Sequence, residues 1–192
     1  MAITAPKLAI FTILLFLSSA DLLPINSQQF SRKLSKKEMG LKVEKLSHLH
    51  FYFHDISSGS NPTSVHVAQA ATTNSSATNF GSVTVVDSRL TLGPEISSKT
   101  VGRAQGIYVF ADKEEMALSL VYNFAFNEGM FQGSVLSVLG RNPFLSGVRE
   151  LPIVGGSGVF RFARGYAKLK TVETNMLTGD AVVEYNAYVF HY

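Results

Sequence analysis

The feature that most limits this chain is a hydrophobic period of two that sets in near Leu46 and recurs almost to the last residue. In His48–Ile56, Leu49, Phe51, Phe53 and Asp55 share one face of a strand, and His48, His50, Tyr52, His54 and Ile56 share the other. Further strand-like runs cover Ser64–Ala71, Gly81–Leu92, Arg103–Asp112, Met116–Asn127, Phe131–Gly140, Val159–Lys170 and Ala181–His191. Turn signals separate them at 57–62, 74–79, 93–94, 128–129, 142–143, 155–158 and 178–180. Eight such runs without a long amphipathic helix predict an antiparallel all-β domain. The pattern alone fits a sandwich or a barrel. An eight-stranded barrel encloses room for side chains or one small ligand, and closure removes edges that apolar strands would otherwise expose. Several runs are apolar on both faces: Met116, Leu118, Leu120, Tyr122, Phe124 and Phe126 alternate with Ala117, Ser119, Val121, Asn123 and Ala125. A lone barrel should be wetter outside, so a partner subunit is expected to cover part of it.

Residues 1–27 read as a secretory leader. Lys7 precedes the apolar run Leu8–Leu17, and Ser18, Ser19 and Ala20 supply small residues for cleavage, after Ala20 or after Ser27. The run is shorter than the roughly 20 residues a membrane-spanning helix needs. Asn74-Ser75-Ser76 is an N-glycosylation acceptor that suits the same secreted route. Residues 1–46 hold seven basic and three acidic side chains, and the remaining residues ten and eleven. The net charge of +3 therefore resides in the leader and in a polar, basic, flexible segment, 28–45, and not in the domain at 46–192. With no basic patch on the domain, nucleic acid is not an expected partner. The basic segment could hold loosely to an acidic wall polymer.

No standard catalytic apparatus is visible. The chain has no cysteine, which removes disulfides, thiol nucleophiles and thiolate metal sites. Gly155-Gly156-Ser157-Gly158 lacks the lysine and the strand–loop–helix context of a phosphate loop and reads as a turn. His48, His50 and His54 share a strand face without a carboxylate from that segment, so they read as surface or interface histidines, with no metal expected. Asp55 follows Leu49, Phe51 and Phe53 on an apolar face. A desolvated carboxyl there stays neutral and can give up a proton near working pH; equally, Asp55 could cap the 57–60 turn. Arg149, just before the apolar run Leu151–Val154, could face an anionic or phenolic oxygen or pair at the rim.

Five blocks resemble the plant dirigent family in order and spacing: Phe51-Tyr52-Phe53-His54-Asp55-Ile56, Val101-Gly102-Arg103-Ala104-Gln105-Gly106, Ser137-Val138-Leu139-Gly140, Arg149–Gly158 and Phe162-Ala163-Arg164-Gly165-Tyr166-Ala167. The resemblance implies an eight-stranded antiparallel β-barrel of the dirigent and allene-oxide-cyclase kind, a homotrimer, secreted to the apoplast. It implies no cofactor. A separate oxidase, a laccase or peroxidase, makes phenoxy radicals, and the barrel orients two of them for regio- and stereoselective coupling of monolignols to a lignan. Orientation is what such a recombination needs.

The same resemblance places the family's pocket aspartate on Asp55, its tyrosine on Tyr108, its arginine on Arg149 and a threonine on Thr171. Thr171 shares its strand face with the small residues Gly165 and Ala167, which would leave room for a ligand. Two positions depart from the pinoresinol-forming members: Asn142 replaces a second aspartate and Phe110 a second tyrosine. Asparagine cannot supply a proton as a carboxyl does. Gly140-Arg141-Asn142-Pro143 with Leu46–His50 is similar to the cysteine-free branch, which includes pterocarpan synthase, an isoflavanol dehydratase acting through a quinone methide. A third expectation is a lipocalin-like carrier that only stores an apolar ligand.

Overall fold

The computed structural model describes residues 30–192. The leader and its cleavage site lie outside the described residues. The chain divides into two compact units between Met39 and Gly40. In the first, Ser35 and Glu38 close a turn: the Glu38 carboxylate accepts from the Ser35 N–H and hydroxyl, and the Glu38 N–H donates back to Ser35 Oγ. This is the reciprocal pattern of a capping box.

The second unit contains nine strands: β1 Lys45–Asp55, β2 Ser64–Ala68, β3 Val83–Thr91, β4 Thr100–Phe110, β5 Leu118–Phe126, β6 Val135–Asn142, β7 Val148–Ser157, β8 Arg164–Asn175 and β9 Asp180–His191. Among the described residues the only helical pieces are single 3-10 turns at Thr73–Ser75, Gly129–Phe131 and Gly158–Phe160. No described helix is long and apolar enough to cross a membrane. The strands run antiparallel in the order β1-β9-β8-β7-β6-β5-β4-β3, and β1 meets β3 to close the ring. Eight strands therefore form the barrel, as the resemblance implies. Closure rests on only two residue pairs, Tyr52 with Thr91 and Phe53 with Leu90. Beyond them β2 takes over the free edge of β3, from Ser64 opposite Val86 to Ala68 opposite Val83.

The eight ring strands are not the eight runs expected from the sequence. Ser64–Ala71 yields the short β2, outside the ring. Val148–Ser157, not among those runs, is ring strand β7, with Arg149, Leu151 and Ile153 inward and Glu150, Pro152 and Val154 outward. Gly155, Gly156 and Ser157 are not a turn: they pair with Ser137, Leu136 and Val135 of β6. A β-carbon on Gly156 would lie 2.4 Å from the Val135 carbonyl oxygen and 2.7 Å from Phe160 Cβ, so glycine serves close approach there. The turn begins one residue later, at Gly158.

The barrel is filled at one end and hollow at the other. Leu49, Phe51, Phe124, Phe126, Leu136, Ala167, Ala187 and Val189 pack the closed end, with Phe160 sealing it. Phe51 stacks on Tyr185 at 5.4 Å between ring centroids and meets Phe124 edge-on at 5.2 Å. Phe160 contacts Phe126 and Phe131 at 5.9 and 4.9 Å. Such offset and edge-to-face pairs add to the stability given by burial alone. The room expected beside Ala167 is taken by this packing and not by a cavity.

On the outer wall one cross-strand row is apolar over five strands: Val65, Val85, Ile107, Val121 and Leu139 stand opposite one another in register. Each is 37–50% exposed. Contiguous exposed apolar surface of this kind marks contact surfaces on soluble domains.

Candidate functional site

At the hollow end, where β1, β4, β6 and β8 finish, lies a cavity of ≈ 530 Å³. That is within the roughly 300–1,000 Å³ that holds a drug-sized ligand. Its walls are chiefly apolar and aromatic, with Phe53, Phe110, Leu118, Leu120, Tyr122 and Tyr185 prominent, and Phe144 and Leu145 of the β6–β7 loop at its mouth. Asp55, Tyr108, Asn142 and Thr171 are the polar residues foreseen from the sequence that reach it.

Asp55 is the last residue of β1. Its alternation with Phe51 and Phe53 turns it inward, and the Ser64 hydroxyl at the start of β2 donates to its Oδ1. Burial raises its pKa from 3.8 to about 6; the Ser64 bond opposes the shift and the charge of Asp180 adds to it. The carboxyl is thus a weak acid poised to give or take a proton in mildly acid conditions. It does not cap the 57–60 turn. That task falls to Asp180, whose carboxylate accepts from the N–H groups of Ser57 and Ser58 and from the Ser58 hydroxyl.

Tyr108 reaches the cavity from β4. Burial, then the nearby Asp55 charge, pushes its pKa up to about 12, against the hydroxyls of Thr84, Ser57 and Ser64. Its phenol stays protonated and neutral beside the acid. Tyr122 and Tyr185, deeper in the cavity, are also pushed up by burial.

Phe110, Leu118 and Asn142 form one cross-strand row on β4, β5 and β6. Thr171 projects from β8 beside a bulge that shifts the register between Thr171 and Glu173. Arg149 behaves differently. It is buried yet does not line the cavity: its Nε donates to Asn142 Oδ1 at 3.1 Å, and Nη1 to the Ser146 and Gly147 carbonyls at 3.4 Å. Burial draws its pKa below the usual value. Its bonds all go to Asn142 and to the β6–β7 loop at the cavity mouth.

Away from the cavity, Asn74 is exposed in the Thr73–Ser75 turn, its Oδ1 accepting from Gln69. The strand-face histidines go to separate partners: His48 to Asn186, His50 to Glu184 and His54 to Thr91. His54 is buried and not a surface histidine, because the β1–β3 closure sets Thr91 against it. The sequence reading missed Tyr185, Phe144, Leu145 and Met176 as cavity residues. Period two did carry the signal for Tyr185, which follows Ala181 and Val183 on β9.

A sequence profile of the Dirigent-like protein family matches residues 46–190. The chain belongs to the dirigent family. It is 56% identical to Dirigent protein 21 of Arabidopsis thaliana over 165 residues, covering 86% of this chain and 87% of that protein. It is 47% identical to Pterocarpan synthase 1 of Glycyrrhiza echinata over 172 residues, covering 89% and 92%. The solved structure of the pterocarpan synthase dirigent protein GePTS1 superposes with a TM-score of 0.73 at 52% identity, over 78% of this chain and 86% of that one. In this dirigent barrel the cavity is an apolar pocket carrying one carboxyl.

Proposed function

We propose that this dirigent protein receives a phenolic ligand in the hollow end of its barrel and steers the fate of a quinone methide formed there. The observation that carries the reading is Asp55: a neutral-leaning carboxyl in an aromatic cavity, next to the un-ionised phenol of Tyr108. A quinone methide needs proton transfer at an oxygen and a wall that exposes one face to attack. Asp55 serves the first need and the rigid aromatic lining the second.

Two reactions pass through that intermediate. In the first, a separate laccase or peroxidase generates monolignol radicals, and the barrel orients a pair for coupling to a lignan without oxidising them itself. In the second, Asp55 protonates the departing hydroxyl of an isoflavanol, and the ligand's own phenol closes the ring. Asn142 favours the second, because the cavity then has one acid and not two, and a dehydration needs one.

Purified protein given coniferyl alcohol with a one-electron oxidant, and separately an isoflavanol without oxidant, distinguishes them. Enantiomerically enriched dimers in the first arm support coupling, and a ring-closed product in the second supports dehydration. Racemic dimers together with unaltered isoflavanol, while both ligands bind, would leave a lipocalin-like carrier as the reading.

The leader and the exposed Asn74 support secretion to the apoplast with a glycan at Asn74. The apolar row from Val65 to Leu139 supports a homo-oligomer, a trimer by family resemblance. Ile107→Glu combined with Val121→Lys is expected to convert an oligomer into monomers in sedimentation velocity, with unchanged far-ultraviolet circular dichroism. An unchanged sedimentation coefficient would exclude this surface as the contact.

A further inference from the structure

Arg149 sets the way Asn142 meets a ligand. Arginine has donors and no acceptor, so the carboxamide must offer Oδ1 to the Arg149 Nε, as it does at 3.1 Å. Arg149 is itself fixed by the carbonyls of Ser146 and Gly147 and is 4% exposed. Arg149 does not line the cavity, whereas Asn142 does. Among the described residues nothing accepts from Asn142 Nδ2, which leaves that N–H₂ group as the polar atom turned to the ligand space. The ring order sets where this donor stands. From β1, four strand steps in either direction lead to β6. Asn142 therefore faces Asp55 across the barrel, with both residues at strand ends on the hollow side.

We propose that Arg149 is a positioning residue that locks Asn142 as a fixed neutral hydrogen-bond donor opposite Asp55, so that the cavity selects phenolics whose far end carries an acceptor-only oxygen: a methyl ether, a ring ether or a carbonyl. A phenolic hydroxyl can also accept from Nδ2, but its own proton gains less from this carboxamide, since the Arg149 cation already draws on one of the two lone pairs of Oδ1. The inference rests on the reading of the cavity as a phenolic site and specifies the ligand at its second end.

Three two-ring probes test it by calorimetric titration: 4-(4-methoxybenzyl)phenol, its 4-ethylbenzyl analogue, in which a methylene replaces the ether oxygen, and its 4-hydroxybenzyl analogue. The wild-type protein is expected to bind the methoxy probe about fivefold more tightly than the ethyl probe, the worth of one net hydrogen bond. Asn142→Leu should reduce that ratio to about one. Arg149→Met should do the same with Asn142 still present, and Arg149→Lys, which restores a donor to Oδ1, should recover part of it. A ratio is insensitive to a uniform loss of affinity or of folded fraction, so a purely structural role for Arg149 would not move it. Asn142→Asp keeps the Arg149 contact but presents acceptor oxygens, and should reverse the order in favour of the hydroxy probe. Equal binding of methoxy and ethyl probes by the wild type overturns the inference and leaves the phenolic site standing. Binding of none of the three overturns both. A ratio that survives Arg149→Met overturns the positioning role.

Discussion

Asp55→Asn is expected to lower turnover, or stereoselectivity, by roughly 10²-fold or more while making the barrel harder to unfold. The carboxyl is costly where it sits. Its pKa is about 6 in the folded chain against 3.8 ordinarily, so between those values the unfolded chain has released a proton that the folded chain retains. Stability then falls as pH rises through that window, by about 3 kcal/mol in all. Below pH 3.8 the penalty is absent, and above about 6 it is complete. Asparagine keeps the acceptor for the Ser64 hydroxyl and carries no charge to desolvate. Thermal melts of the two proteins should nearly coincide at pH 3.5 and separate by several degrees at pH 7.5, with the variant higher. Wild-type activity should decline as pH rises through about 6, where the acid form disappears. An asparagine variant that matches the wild type in product and in melting at both pH values would remove Asp55 from the chemistry.

The second large effect lies at the closed end. Phe51→Ala should cost about 3–5 kcal/mol and lower Tm by about 10 °C in a domain of this size. Phe51 is 1% exposed, and its ring meets Tyr185, Phe124 and Phe126. Truncation leaves a void that rigid neighbouring strands cannot collapse to fill. Phe110, partly buried at the cavity wall, should be far cheaper to truncate, and its loss should appear in ligand preference instead. Differential scanning calorimetry of both variants checks the contrast. A fall of under 3 °C for Phe51→Ala would mean that the closed end is not tightly packed.

Much of this was legible in the alternation. Period two set Leu49, Phe51, Phe53 and Asp55 on one face, and Leu118, Leu120, Tyr122, Phe124 and Phe126 on one face of β5, because side chains on a strand cannot choose faces independently. What alternation could not reveal is pairing. Val148–Ser157 hid as a strand because Pro152, Gly155 and Gly156 look like punctuation, and only the β6 edge gives the two glycines a backbone partner. His54 looked exterior since its face is polar, yet ring closure buries it against Thr91. That Asp180 and not Asp55 caps the 57–60 turn follows only from β9 running beside β1. Arg149, inward on β7, could not be paired from the sequence for a similar reason: its partners lie on β6 and in the loop that precedes it.

The longest unbroken ladder in the barrel joins the first strand to the last, eleven pairs from Lys45 with His191 to Asp55 with Ala181. Contacts so distant along the chain are slow to form. During synthesis β1 must remain without its main neighbour until β9 emerges, with the edge destined for β9 open to other chains in the meantime. Removal of residues 188–192 would therefore leave Lys45–His48 without partners at the closed end, where β1 has no other neighbour on that side.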